Sequence, residues 1–176
     1  MPTIFTHAVV PLMLGGAAGR RVFNRRLLAA GAISAMLPDA DVLAFKLHVA
    51  YADNFGHRGA THSIAFALLL GFAAFIGHRR LESTPWRSAG FVGWAALSHP
   101  LLDACTNGGL GVALWWPFSD IRWFAPFHPI AVSPIGARFF SERGWHVIAS
   151  EFCWVWMPTA MVAACIAAWR RTSKQA

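Results

Sequence analysis

Five stretches of the 176-residue chain stand out as apolar: residues 3–19, 27–45, 62–78, 89–105 and 147–169. The third, running from His62 through FALLLGFAAFIG, and the fifth, through CWVWMPTAMVAACIAAW, read as membrane-spanning helices. The first is short and rich in glycine. The second is interrupted by Pro38, Asp39 and Asp41, and the fourth carries His99, Pro100 and Asp103. These three read as spans because their polar residues cluster instead of scattering. The pattern predicts an all-α fold, a polytopic membrane helical bundle of about five transmembrane helices, forming a single domain over residues 1–176. Between the fourth and fifth spans lies a long outer-face loop segment, roughly 106–146. Its prolines at 117, 126, 129 and 134 forbid one continuous helix, and its aromatics argue against a solvated loop. It is expected to lie along the outer surface or to dip into the bilayer against protein.

Composition strengthens the membrane reading. The chain is 56% hydrophobic and 13% charged, where a soluble domain carries about a quarter charged residues. The net charge of +7 suggests nucleic acid at first sight, but the basic residues sit in short groups between apolar runs, so no nucleic-acid partner is expected. Arg20, Arg21, Arg25 and Arg26 separate the first two spans, Arg79, Arg80 and Arg87 the third and fourth, and Arg170, Arg171 and Lys174 follow the fifth. The positive-inside rule makes these places cytoplasmic, so the expected location is a bacterial-type inner membrane with the N-terminus outside. Trp86 and Trp169 then mark the inner interface, while Trp115, Trp116, Trp123, Trp145, Trp154 and Trp156 crowd the outer one. The N-terminal segment lacks a positive n-region and reads as retained, not as a signal peptide. Cys105, Cys153 and Cys165 read as small buried apolar residues, with a Cys105–Cys153 disulfide the lesser alternative.

On this topology the ionisable residues converge. His7, Asp39, Asp41, His57, His62, His99, Asp103 and Glu151 all fall on the outer side, although the topology rests on arginines alone. His99 and Asp103 are four apart and share a helix face. Asp39 and Asp41 follow Pro38, where a kinked helix can aim two carboxylates inward. His57 and His62 bracket the turn RGAT and can approach one point from two directions. Imidazoles and carboxylates without thiolates suit a divalent metal: zinc foremost, with manganese or iron(II) as alternatives. His48, His78, His128 and His146 read as interfacial or hydrogen-bonded residues, and Asp120, Glu142 and Glu82 as solvated charges. Asp41 also reads as a helix cap, Asp103 as a partner that orients His99, and Glu151 as a structural acid paired with Arg138 or Arg143.

The blocks LPDAD at 37–41, HRGATHS at 57–63 and SHPLLDACTN at 98–107 resemble the YdjM-like membrane-bound metal-dependent hydrolases. THAV at 6–9, the later WPF, SPIG at 133–136 and SE at 150–151 fit the same pattern, so the resemblance covers nearly the whole chain. It implies a multi-span helical protein with a metal-dependent hydrolase site. The family is distantly similar to zinc phospholipase C and the S1/P1 nucleases, which bind clusters of zinc through histidines and aspartates. Matched block by block, the implied ligands are His7, Asp39, Asp41, His57, His62, His99 and Asp103. The terminal-amine ligand of those soluble enzymes is not carried over.

The expected reaction is hydrolysis of a phosphate ester in a membrane lipid or lipid-linked substrate at the outer face. Asp41 or Glu151 would act as general base, and Arg58 would grip a phosphate oxygen or else bind lipid headgroups. Thr61 and Ser63 would orient ligand imidazoles, and the aromatic segment 115–127 would hold an acyl or prenyl chain. The alternative is a non-enzymatic metal-binding membrane protein: a transporter, a sensor or a metal-stapled scaffold. A transport route needs polar residues through both leaflets, and the inner halves of these helices are almost purely apolar.

Overall fold

The computed structural model describes residues 1–134 and 139–173. Ile135 and Gly136 of the SPIG block, Arg138 and Lys174 lie outside these residues. Among those described, helical segments build five rods. Helix α1 spans Ile4–Ala18. Helix α2, Arg25–Met36, runs through a 3-10 turn, Leu37–Val42, into the single turn of α3, Leu43–Lys46. Helices α4, Ile64–Ile76, and α5, Pro85–Ala104, follow. Helix α6, Glu142–Glu151, continues through a π-helical turn, Phe152–Trp156, into α7, Met157–Thr172.

Local chemistry sets these boundaries. The side chains of Asn24, Ser63 and Thr84 accept hydrogen bonds from the free amides of Leu27, Phe66 and Arg87, and Pro85 occupies the first turn of α5. Pro38 has no amide to donate, so the second rod tightens into 3-10 geometry without ending, and Asp39 and Asp41 turn inward.

The five-helix, all-α architecture is what the hydropathy pattern predicts. Two rods are long and apolar enough to cross a membrane by length and composition: Arg25–Lys46, at 22 residues, and Glu142–Thr172, at 31. At 15 and 13 residues, α1 and α4 fall below the roughly 20 that a bilayer core requires. The apolar window of the last rod is only 6% buried, so the protein itself does not cover that surface. A buried core helix of a soluble domain would not look like this.

In the packing order, α5 sits between α4 and α2, while α1 lies on α2 and α7. Gly31 makes the α2–α5 approach close: a methyl there would stand 2.3 Å from Cε1 of Phe91. Leu27, Ala74, Phe91 and Val92 fill the core near the arginine-rich turns. Those turns share one end of the bundle. Arg26 pairs with Glu82 at 3.1 Å, the Asn24 amide donates to the carbonyls of Leu81 and Glu82, and Gly19 rests against the Arg170 guanidinium. The long connection between α5 and α6 is pinned by bridges joining Thr106 to Ile130 and Val112 to Trp123. The cysteine expectation needs correction. All three are free; Cys105 is half-buried, but Cys153 and Cys165 are exposed on the uncovered last rod.

Candidate metal centre

At the end of the bundle opposite the arginines, one helix start, two 3-10 turns, a loop and one helix end deliver their polar side chains to a common point. His7 comes from the second turn of α1 and Asp39 and Asp41 from the turn after α2. His57 and Arg58 come from the loop before α4, His62 from the 3-10 turn Ala60–His62, and His99 and Asp103 from the last turns of α5. All eight are buried.

The innermost group is Asp39, His62, His99 and Asp103, whose ligand atoms all lie within 4.8 Å of one another. Proton bookkeeping shows what this group offers. Nδ1–H of His99 donates to the carbonyl of Ala35 at 2.7 Å, which leaves the lone pair on Nε2 when the ring is neutral. Nδ1 of His62 faces the Asp41 carboxylate at 3.1 Å, which likewise directs the Nε2 lone pair inward. The two Nε2 atoms stand 3.0 Å apart. Around them, Asp39 Oδ1 is 3.4 Å from His99 Nε2, and Asp103 Oδ2 is 3.4 Å from His62 Nε2. No hydrogen bond of good geometry reaches either oxygen of Asp39 or of Asp103, although Asp103 Oδ2 forms an ion pair with Nε of Arg58 at 2.9 Å. Buried acceptors facing one another without donors are costly. One cation among them would satisfy all four, so the residues fit a metal ion. His7 extends the group: its ring stacks on His99 at 3.6 Å, its Nε2 is 3.5 Å from Asp103 Oδ1, and neither of its nitrogens has a hydrogen-bond partner. With neutral imidazoles, three carboxylates face one guanidinium and the buried terminal amine of Met1, which leaves the group net negative.

A second grouping, Asp41, His57 and His62, is also close enough to hold an ion. Its carboxylate, however, is already occupied. Asp41 accepts from the backbone N–H of Arg58 at 3.0 Å and the Thr61 hydroxyl at 2.9 Å, and it faces Nδ1 of both His57 and His62. Thr61 therefore does reach an imidazole, lying 3.1 Å from His62 Nδ1. Ser63 instead holds the start of α4 and the preceding turn through Phe66 N–H and Ala60 carbonyl.

Arg58 is fully buried, with a left-handed backbone (φ 64°). Its Nε lies 2.9 Å from Asp103 Oδ2, and its terminal nitrogens donate to the Gly108 carbonyl and the Thr106 hydroxyl, both at 2.8 Å. Glu151 is also fully buried, but its partners are the Thr3 amide and the hydroxyls of Thr3 and Thr6. Among the described residues it has no ion pair with an arginine; Arg138 lies outside them. Trp156 Nε1 donates to the Thr6 hydroxyl at 2.7 Å, so this network ties α1 to the last rod one residue from His7. Sequence reasoning missed Thr3, Thr6 and Thr106. Thr3 and Thr6 are three apart at the start of α1 and so share the face that meets Glu151.

Outside the cluster, Arg122 ties the loop before α4 to the connection between α5 and α6 by donating to the carbonyls of His57, at 3.1 Å, and Asp53, at 2.8 Å. Tyr51 packs edge-on to His57, and burial raises its phenol above the ordinary tyrosine value. His48, His128 and His146 are exposed and His78 is half-buried, all away from the cluster. Trp115, Phe118, Ile121 and Phe127 of the aromatic segment point outward, Phe118 at 92% exposure.

Comparison with known proteins adds two findings. The family model described as YdjM inner membrane protein matches residues 1–174. The inner membrane protein YbcI of Escherichia coli (strain K12) is 49% identical over 173 residues, which is 97% of this chain and 99% of YbcI. No solved structure matches the chain.

Proposed function

The chain belongs to the YdjM inner membrane protein family, and from that premise we propose that it is a membrane-embedded, metal-dependent hydrolase cleaving a phosphate ester of a lipid or lipid-linked substrate at the outer face. The observation that carries this reading is the inner group: two imidazole lone pairs and two buried carboxylates, Asp39 without a hydrogen-bond donor and Asp103 ion-paired with Arg58, converging on one point. We assign the ion to Asp39, His62, His99 and Asp103, with His7 beside them. A divalent ion held there supplies a Lewis acid that polarises a phosphoryl oxygen and lowers the pKa of water; the donor set favours zinc, with manganese or iron(II) as alternatives.

The remaining residues act on this group. Ala35 and Asp41 fix the tautomers of His99 and His62. Arg58 positions Asp103; its committed guanidinium suits that role better than gripping a phosphate. Asp41 and Glu151 each hold several donors already, which leaves neither carboxylate free to act as a general base. The proton acceptor that fits is His57, whose Nδ1 is held by Asp41. The rival reading, a metal transporter, needs polar groups along the bundle, and the core toward the arginine end is built on Leu27, Ala74, Phe91 and Val92, with the Ser88 hydroxyl a buried polar group there.

The test is turnover of phosphomonoesters and phosphodiesters by purified protein with and without added zinc or manganese. Metal-dependent hydrolysis that is lost in His99→Ala supports the reading. Absence of turnover with every ester and metal overturns it.

A further inference from the structure

We propose that the substrate of this site carries an apolar chain, and that the chain lies in a groove between the N-terminal turn of α1 and Phe139–Phe140, with its anionic head at Asp39. The proposal rests on the hydrolase reading and adds to it the groove that receives the substrate's apolar chain.

A cavity of about 310 Å³ runs along Ile4, Phe5, Val42, Phe139 and Phe140 and ends on Asp39. That size lies at the lower end of the range for small-molecule sites. Among the described residues, Asp39 supplies the only carboxylate of its wall, which Met1, Thr3 and Ser133 also line. The carboxylate is 3% exposed, both its oxygens lack hydrogen-bond partners, and Oδ1 stands 3.4 Å from Nε2 of His99. The groove and the metal group therefore share a residue. At the other end the walls open outward, with Phe5 at 69% and Phe140 at 88% exposure.

Two physical arguments select the occupant. A carboxylate at the inner end of a carbon-lined groove is costly to bury unless a cation neutralises it. Once neutralised, that end attracts an anion, while the rest of the groove is mostly carbon, with Thr3 and Ser133 its polar side chains. A small water-soluble phosphoester gains nothing from the walls, whereas each methylene laid against them strengthens binding about fourfold. An amphiphile with a phosphate head and an alkyl chain uses both ends. The aromatic segment 115–127 contributes no residue to this cavity.

The experiment uses a series of n-alkyl nitrophenyl phosphates with chains of increasing length, and the matching non-hydrolysable alkyl phosphonates, with metal-loaded protein in detergent micelles. Turnover and phosphonate binding are measured for wild type, for Val42→Trp, which fills the groove, and for Phe140→Ala, which strips its wall. All three are read in the same micelles, so partition into detergent cancels. The expected result is a wild-type kcat/KM and affinity that rise with each methylene, by at most about fourfold because the micelle competes for the chain. The rise with chain length should flatten in both variants. Equal slopes in wild type and variants, or no slope in wild type, overturn the proposal. A slope in phosphonate binding without turnover of any ester leaves the groove standing and sinks the hydrolase reading.

Discussion

Replacing Asp103 by asparagine keeps the shape of the side chain and removes its charge. The guanidinium of Arg58, fully buried and 2.9 Å from that carboxylate, is then left with only neutral partners, the Gly108 carbonyl and the Thr106 hydroxyl. Breaking a buried pair by removing one partner costs about 3–5 kcal/mol. Relief of repulsion between Asp103 and Asp39 offsets part of this, which places the expected loss toward the lower end. For a chain of this size one kcal/mol corresponds to about 2–4 °C in Tm, so the variant should melt at least ~6 °C below wild type. The assay is helical circular dichroism on heating in detergent with chelator present, so that loss of a metal ligand does not enter. Arg58→Met in the same chain removes the stranded charge, and the double variant should recover more than half of the deficit. A single-variant loss below about 2 °C, or a double variant that loses as much as both single changes together, would refute the claim that this pair is held as a buried charge couple.

Glycine substitutions should separate according to their surroundings. Gly31→Ala drives a methyl to 2.3 Å from Phe91 and should lose about 1–3 kcal/mol, whereas Gly16→Ala meets nothing within 4 Å and should gain up to ~1 kcal/mol from helix propensity; thermal melts of the two check this. Thr6→Val takes a donor from buried Glu151 and the acceptor from Trp156, and should lower stability by about 1–3 kcal/mol with a change in tryptophan emission. Thr61→Val removes a hydroxyl that touches both Asp41 and His62. Metal affinity, read by competition with a chelator, should fall about 10–100-fold, and the chelated protein should lose about 1–3 kcal/mol from the missing donor to Asp41.

The helices and the gathering of polar groups at one end were legible because both rest on local rules. Apolar runs marked the rods to within a few residues, and the arginine groups marked the opposite end. The spacing of His99 and Asp103 on α5 gave a shared face directly. What was not legible depends on pairings distant in sequence. Nothing near Arg58 says that its guanidinium turns to Asp103 and Thr106, and nothing near Glu151 points to Thr3 and Thr6, 148 and 145 residues away. The roles of Asp41 and Asp39 diverge for the same reason. They are two residues apart in one turn, but Asp41 faces the donors of the 57–62 loop and Asp39 faces α5. The exposure of Cys153 and Cys165 follows from the last rod having protein on so little of its surface, a condition that residue type alone does not reveal.

The central claim is that Asp39, His62, His99 and Asp103 hold a divalent ion. Elemental analysis of protein purified from the membrane, comparing wild type with His62→Ala and His99→Ala at matched helical content, tests it most directly. The account predicts bound zinc, manganese or iron in wild type and its loss in both variants. Equal metal content in all three proteins, or none in wild type after metal-supplemented growth, would contradict it.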